Sequence, residues 1–221
     1  MNLAIFDLDN TLISGDSDAE WPLFLTKKGL LPPEFAQQSE AFYQQYLDGT
    51  LDINAFLAFQ LRPLAQFSRQ QLDALHAEYM DEHIRPIIPQ KARDLLASHH
   101  AQGDLVMIIT ATNHFVTGPI ARELGVEHLI AIDLEQGPDG QFTGRPQGVP
   151  SFREGKITRL DMWLAARDET LASYEKSFFY SDSHNDLPLL SRVSHPVAVD
   201  PDATLRAQAE AQGWPVISLR N

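Results

Sequence analysis

The feature that most constrains this chain is a set of short apolar runs, several of which end on hydroxyl or carboxylate residues. Leu3-Ala4-Ile5-Phe6 closes on Asp7-Leu8-Asp9-Asn10-Thr11. Leu105–Ile109 closes on Thr110-Ala111-Thr112, and Phe178-Phe179-Tyr180 leads into Asp182-Ser183-His184-Asn185-Asp186. Leu129–Ile132 and Val197-Ala198-Val199 are further apolar runs. Continuous apolar stretches of this length read as strands buried on both faces. Helical patterns at 91–100, 115–124, 156–166 and 203–212 separate them. That alternation predicts an α/β fold: a Rossmann-like parallel sheet with right-handed crossovers and helices on both faces. Gly137-Pro138-Asp139-Gly140 predicts a tight turn, with a hairpin closing through Gln141–Gly144. In sheets of this kind ligands bind beyond the carboxyl ends of the strands. The polar tips are therefore expected to meet in one cleft.

The alternation is broken between residues 14 and 84. Pro22 is placed to open a helix and Gly29 to close it. Pro33–Leu47 carries Phe35, Phe42, Tyr43 and Tyr46 as an apolar stripe. Ile53–Phe67 is rich in Phe and Leu, with Pro63 interrupting it, and Ser68 is positioned to cap a helix bearing Leu72, Leu75, Tyr79 and Met80. No strand is predicted in this stretch. The expected organisation is an α/β core of residues 1–13 and 85–221 with an inserted all-helical cap of residues 14–84. Hinges are expected near Ser14-Gly15 and Arg85-Pro86.

Composition narrows the function classes. The 221 residues include 17 Lys and Arg against 30 Asp and Glu, a formal net charge of −13. Nucleic-acid binding needs a basic surface, and so does a polybasic membrane anchor; neither is expected. A small phosphorylated metabolite, held in one local positive pocket, remains compatible. Cysteine is absent, which excludes disulfides, thiolate nucleophiles and Cys-based zinc sites. Met1 leads directly into the first apolar run without a basic segment or a cleavage site, so a soluble, cytoplasmic protein is expected. Nothing in the sequence fixes an oligomeric state.

Asp7, Asp9, Asp182 and Asp186 would crowd the cleft at the strand tips. Their repulsion at neutral pH calls for a cation, and oxygen-only ligands suit Mg²⁺. Lys156, near the start of a helix, is placed to add positive charge. A hard cation, a lysine and the Thr110 hydroxyl around one carboxylate make a site for phosphate.

These residues resemble the four ordered motifs of the haloacid dehalogenase superfamily: Asp7-Leu8-Asp9-Asn10-Thr11, then Thr110, Lys156 and the Asp182–Asp186 loop. The resemblance covers essentially the whole chain, and the helical insert is similar to the cap of the phosphoserine phosphatase-like branch. It implies that Asp7 is the nucleophile, forming an aspartyl-phosphate. It implies that Asp9 protonates the leaving oxygen and then activates water. Thr110 with the adjoining Ala111, and Lys156, would hold the phosphoryl group, and Asn185 would orient phosphate or water. Mg²⁺ would be bound by the Asp7 side chain, the Asp9 backbone carbonyl and Asp182, with Asp186 acting on the metal or its waters. The second acid of the first motif favours phosphoryl chemistry over carbon–halogen cleavage.

For the substrate, the resemblance implies that Asp16 faces an ammonium. The arginine that holds a carboxylate in phosphoserine phosphatases falls near Gln60 here, with Arg62 close by as a further substrate contact. Acids without a secured arginine favour a cationic ester lacking a carboxylate. Bacterial members with a loop like Gly15-Asp16-Ser17-Asp18 include histidinol-phosphate phosphatases. Histidinol phosphate is therefore the first expected substrate and phosphoserine the second. Transfer to an acceptor other than water, or a non-catalytic phosphate-binding module, are the readings of other classes.

Overall fold

A computed structural model describes residues 1–220; residue 221, the last of the expected core span, lies outside the described residues. Among the described residues, seven strands form one sheet: β1 Leu3–Phe6, β2 Leu105–Asn113, β3 His128–Gln136, β4 Phe142–Gln147, β5 Ser177–Ser181, β6 His195–Val199 and β7 Val216–Ile217. Their order is β4-β3-β2-β1-β5-β6-β7. Neighbours run parallel except β3 and β4, which form the expected hairpin. The chain winds from β1 first to one side and then to the other, so the winding reverses at the carboxyl end of β1, where α/β sheets bind ligands. Phe6 is level with Ile108 of β2 and Tyr180 of β5. Asp7, Thr110 and Asp182 therefore lie within a residue or two of the same height.

Helices α1 Ser17–Lys27, α2 Pro33–Leu47, α3 Ile53–Gln60 and α4 Arg69–Tyr79 all fall between β1 and β2. Then come α5 Gln90–Ala101, α6 His114–Glu123, α7 Glu154–Ala165, α8 Leu187–Leu190 and α9 Ala203–Gln212. Side chains alternate across a strand, and the strands here are apolar on both sides. Ala4, Phe6, Val106 and Ile108 pack with Leu96 of α5 and Ile120 of α6. Leu3, Ile5, Met107 and Phe179 pack with Leu160 of α7, Leu190 of α8 and Leu205 of α9. The result is the expected sheet covered by helices on both faces.

The helical insert packs directly against the core. Trp21 of α1 and Tyr79 of α4 share one apolar cluster with Phe115 of α6, and the Trp21 and Phe115 rings meet edge-on at 5.5 Å. Helices α2 and α3 stand over the strand tips. The two connections that enter and leave the insert run side by side, with the Ser14 amide donating to the Ile87 carbonyl at 2.8 Å. Among the described residues no helix is long and apolar enough to cross a membrane.

Four elements differ from expectation. Helix α1 begins at Ser17, not Pro22, because the Asp16 carboxylate caps it by accepting from the Asp18 and Ala19 amides. Strands β2 and β3 extend beyond their apolar runs, with an irregular register between Ile109 and Asn113; the buried Thr110, Thr112 and Asn113 continue β2 without apolar side chains. Strand β7 spans two residues, too few for a periodic pattern.

Candidate active site

One cavity opens between the strand tips and the α2–α3 arm. Asp7, Asp9, Asp16, Thr110, Ala111, Lys156, Asn185 and Asp186 all line it. Asp182 stands alongside, tied to the first strand tip through Thr11: the Thr11 hydroxyl donates to Asp182 Oδ1, and the Asp182 amide donates to Thr11 Oγ1, both at 3.1 Å. Arg62 is exposed and stands outside the cavity. It follows Gln60 by two residues, past the end of α3, and the chain has turned away by then.

Lys156 is the buried centre of positive charge. Its Nζ lies 3.0 Å from Asp7 Oδ1 and 2.8 Å from the Asp186 carboxylate, and the residue is 2% exposed. The lysine can sit there because α7 starts tightly: a side chain on Gly155 would run into the Pro150 carbonyl. Burial opposes a charged lysine, but Asp186 and Asp7 outweigh it and hold its pKa above the ordinary value. Asp186 also accepts from the Ser181 hydroxyl at 2.7 Å, so its carboxylate is committed within the protein.

Asp9 points elsewhere. The loop after β1 is extended at Asp9 and left-handed at Asn10 (φ 55°), a conformation asparagine tolerates. This aims the Asp9 carboxylate at the Ser17 amide (2.6 Å) and the Thr112 hydroxyl (2.8 Å), with Thr110 at 3.4 Å. Among the described residues no three acidic or imidazole side chains form a ready metal shell; Asp9 and Asp186 are turned to these other partners. The oxygen donors left are the second oxygens of Asp7 and Asp182, which accept no hydrogen bond among the described residues, and backbone carbonyls.

Electrostatics marks the same place. Burial pushes the Asp7 carboxyl up to about 7; Lys156 pulls it down, and Asp186 and Asp9 push it further up. Burial also raises Asp182 well above the usual carboxylate range, aided by Asp7 and Asp186. One lysine does not balance this cluster. An all-oxygen set with excess negative charge fits a hard divalent cation.

The wall furnished by α1 and α3 is acidic too. Burial, then Asp9, lifts Asp16 to about 7 against hydrogen bonds from Ala19 and Asp18. Burial and Asp16 raise Asp18 well above its usual range. Gln60 donates from Nε2 to the Asp18 carbonyl at 2.6 Å and to Asp18 Oδ1 at 3.1 Å, while its Oε1 is buried without a partner among the described residues. Such an orphan acceptor costs about 1–3 kcal/mol. Phe42, Tyr43, Tyr46 and Phe56 add aromatic surface, and Lys156 is the one basic side chain on the cavity wall among the described residues.

Asn185 ties the core to α2. Its Nδ2 donates to the Tyr46 carbonyl at 3.1 Å, and its Oδ1 accepts from Arg153 Nε at 3.0 Å. Arg153 also donates to the Gly49 carbonyl, and the Tyr46 hydroxyl donates to Ser183 Oγ at 3.0 Å. Sequence reasoning had not singled out Thr112, Arg153, Ser181 or the role of Gln60. Thr112 carried a signal, since it lies two residues from Thr110 on the same strand face. Arg153 and Ser181 belong to no motif and emerge only from the folded loops.

The sequence matches the haloacid dehalogenase-like hydrolase family model over residues 4–191. It is 52% identical over 220 residues to a histidinol-phosphatase of Neisseria meningitidis, covering 99% of both chains. It is 33% identical to phosphoserine phosphatase SerB1 of Mycobacterium tuberculosis, covering 98% of this chain and 70% of that one. A solved protein of unknown function from Bordetella pertussis superposes with a TM-score of 0.93 at 46% identity, covering 99% of each chain. With a family match across most of its length and relatives that are phosphatases, the chain belongs to the haloacid dehalogenase-like hydrolases and is a phosphoric monoester hydrolase.

Proposed function

We propose that the enzyme hydrolyses histidinol phosphate through an Asp7 aspartyl-phosphate, with Mg²⁺ as cofactor. The observation that carries the substrate choice is the charge of the cavity: beside the Asp7–Lys156 pair, its wall offers Asp16, Asp18 and Gln60 and no second cation among the described residues. An ester bearing an ammonium and an imidazole suits that wall; one bearing a carboxylate finds no cation there besides Lys156 among the described residues. The identity to the Neisseria histidinol-phosphatase supports the same choice. The reading includes a cytoplasmic setting and a cap, residues 14–84, that closes over the substrate.

In this reading Lys156 orients Asp7 and neutralises phosphate charge. Asp7 attacks phosphorus, and the ester P–O bond breaks. Asp9, held by the Ser17 amide and Thr112, gives its proton to the departing oxygen. Water then attacks the aspartyl-phosphate, Asp9 takes that water's proton, and phosphate leaves with Asp7 restored. The α2–α3 arm keeps bulk water from the intermediate. Asp7, Asp182 and the Asp9 carbonyl would hold Mg²⁺, which when bound would withdraw charge from the phosphate oxygens. Asp186, fixed between Lys156 and Ser181, serves in this reading to position the lysine.

The test compares kcat/KM for histidinol phosphate and phosphoserine with Mg²⁺ present. A clear preference for histidinol phosphate is expected; a preference for phosphoserine overturns the substrate choice. Asp7→Asn is expected to abolish turnover while circular dichroism stays unchanged. Appreciable activity in that variant overturns the nucleophile.

A further inference from the structure

Gln60 is 5% exposed and lines the cavity. Its amide orientation is fixed by what it faces. Nε2 meets two acceptors, the Asp18 carbonyl and Asp18 Oδ1; turning the amide over would set oxygen against oxygen. Oε1 is therefore the atom left over, and it is buried with no hydrogen-bond partner among the described residues. Buried acceptors are normally satisfied, and this one sits in a wall it shares with two carboxyl groups, Asp16 and Asp18.

We propose that Gln60 is a specificity-determining residue: its Oε1 accepts a hydrogen bond from an N–H group, ammonium or azole, on the alcohol portion of the phosphate ester. A carboxylate placed there would face Oε1 and two acids, with no cation but Lys156 on the cavity wall among the described residues. The inference rests on the phosphatase reading above and assigns the discrimination to one atom of α3.

The test uses the whole enzyme with Mg²⁺ and reads a ratio of kcat/KM values: histidinol phosphate over phenyl phosphate, which has no N–H. Gln60→Met keeps length and bulk but removes the acceptor. The ratio is expected to fall tenfold or more, chiefly through KM for histidinol phosphate. An unchanged ratio overturns the inference even where histidinol phosphate remains the preferred substrate; Oε1 is then satisfied by water. Failure of the substrate reading shows differently, as a wild-type enzyme that ignores histidinol phosphate. In that case 2-aminoethyl phosphate against ethyl phosphate supplies the ratio, and its loss in Gln60→Met still supports the inference. Should the variant not fold, the wild-type comparison of those two esters decides: no preference for the amine overturns it.

Discussion

Gln60 fills the hydrogen-bonding position that Pro22 leaves open. Pro22 lies inside α1 and has no amide hydrogen to close on the carbonyl four residues back, that of Asp18. Gln60 Nε2 donates to that carbonyl instead, at 2.6 Å. A helix imperfection on one side of the cavity thus anchors a side chain from the other. Pro22→Ala returns the missing amide and sets it in competition with Gln60. Thermal unfolding is expected to rise by a few degrees, since proline is a poor residue inside a helix. Selectivity for histidinol phosphate over phenyl phosphate is expected to fall severalfold as Gln60 loses an anchor. Calorimetry and paired kinetics check both; a higher Tm with unchanged selectivity would show that Pro22 has no part in orienting Gln60.

Asp7 and Asp186 hold one buried cation, Lys156, between them, and the carboxyls of Asp7 and Asp182 are pushed upward. Mg²⁺ that binds the folded chain should relieve this. At about 100 times its Kd the gain is about 2.7 kcal/mol, or a Tm rise of about 5–10 °C for a chain of this size. Asp182→Asn is expected to lose most of that rise while unfolding no earlier than wild type in EDTA. Calorimetry with EDTA and with MgCl₂ measures both, and a Tm indifferent to Mg²⁺ counts against the cofactor assignment.

The sheet and the acidic tips were legible because strand burial writes continuous apolar runs and because Asp7, Asp9 and Asp182 fall where those runs end. The order of Thr110, Lys156 and the acidic loop carried the family resemblance. What stayed hidden depends on side-chain direction. Asp9 looks equivalent to Asp7 in sequence, yet the left-handed Asn10 turns its carboxylate toward Ser17 and Thr112. Arg62 was expected as a substrate contact beside Gln60, but α3 ends between the two. Pro22 signalled a helix start; Asp16 supplied a stronger one upstream.

Arg153 links the α2 end to the core. It donates to Gly49 and to Asn185, and its own backbone is strained at φ 50°, a cost that persists only where the surroundings enforce it. Gly49 has φ 68°, and a Cβ there would come within 3.1 Å of His184 Nε2. Arg153→Ala is expected to loosen residues 46–51 from the core. Amide exchange in that segment should quicken tenfold or more, and kcat/KM should drop severalfold through poorer exclusion of water. Hydrogen-exchange mass spectrometry reads the first effect; unchanged protection would mean the α2 end is held by Tyr46 alone.

His76 gives the fold an acid-sensitive joint. It is 3% exposed, packed among Trp21, Tyr79 and Phe115, and its Nε2 meets the Val116 carbonyl at 2.8 Å. Burial lowers its pKa below the usual 6.5, only partly countered by hydrogen bonding to Val116. Above pH 6.5 the imidazole is neutral in both folded and unfolded chains and contributes no pH dependence. Below it, the unfolded chain takes up a proton that the folded chain resists, so stability falls, by at most about 1.4 kcal/mol per pH unit, until the pH passes the folded pKa. His76→Gln retains a donor for Val116 without an ionisable ring. Urea unfolding at pH 8 and at pH 5.5 should therefore show a smaller stability difference in the variant than in wild type. Equal differences would place the acid sensitivity of the insert–core joint in other groups.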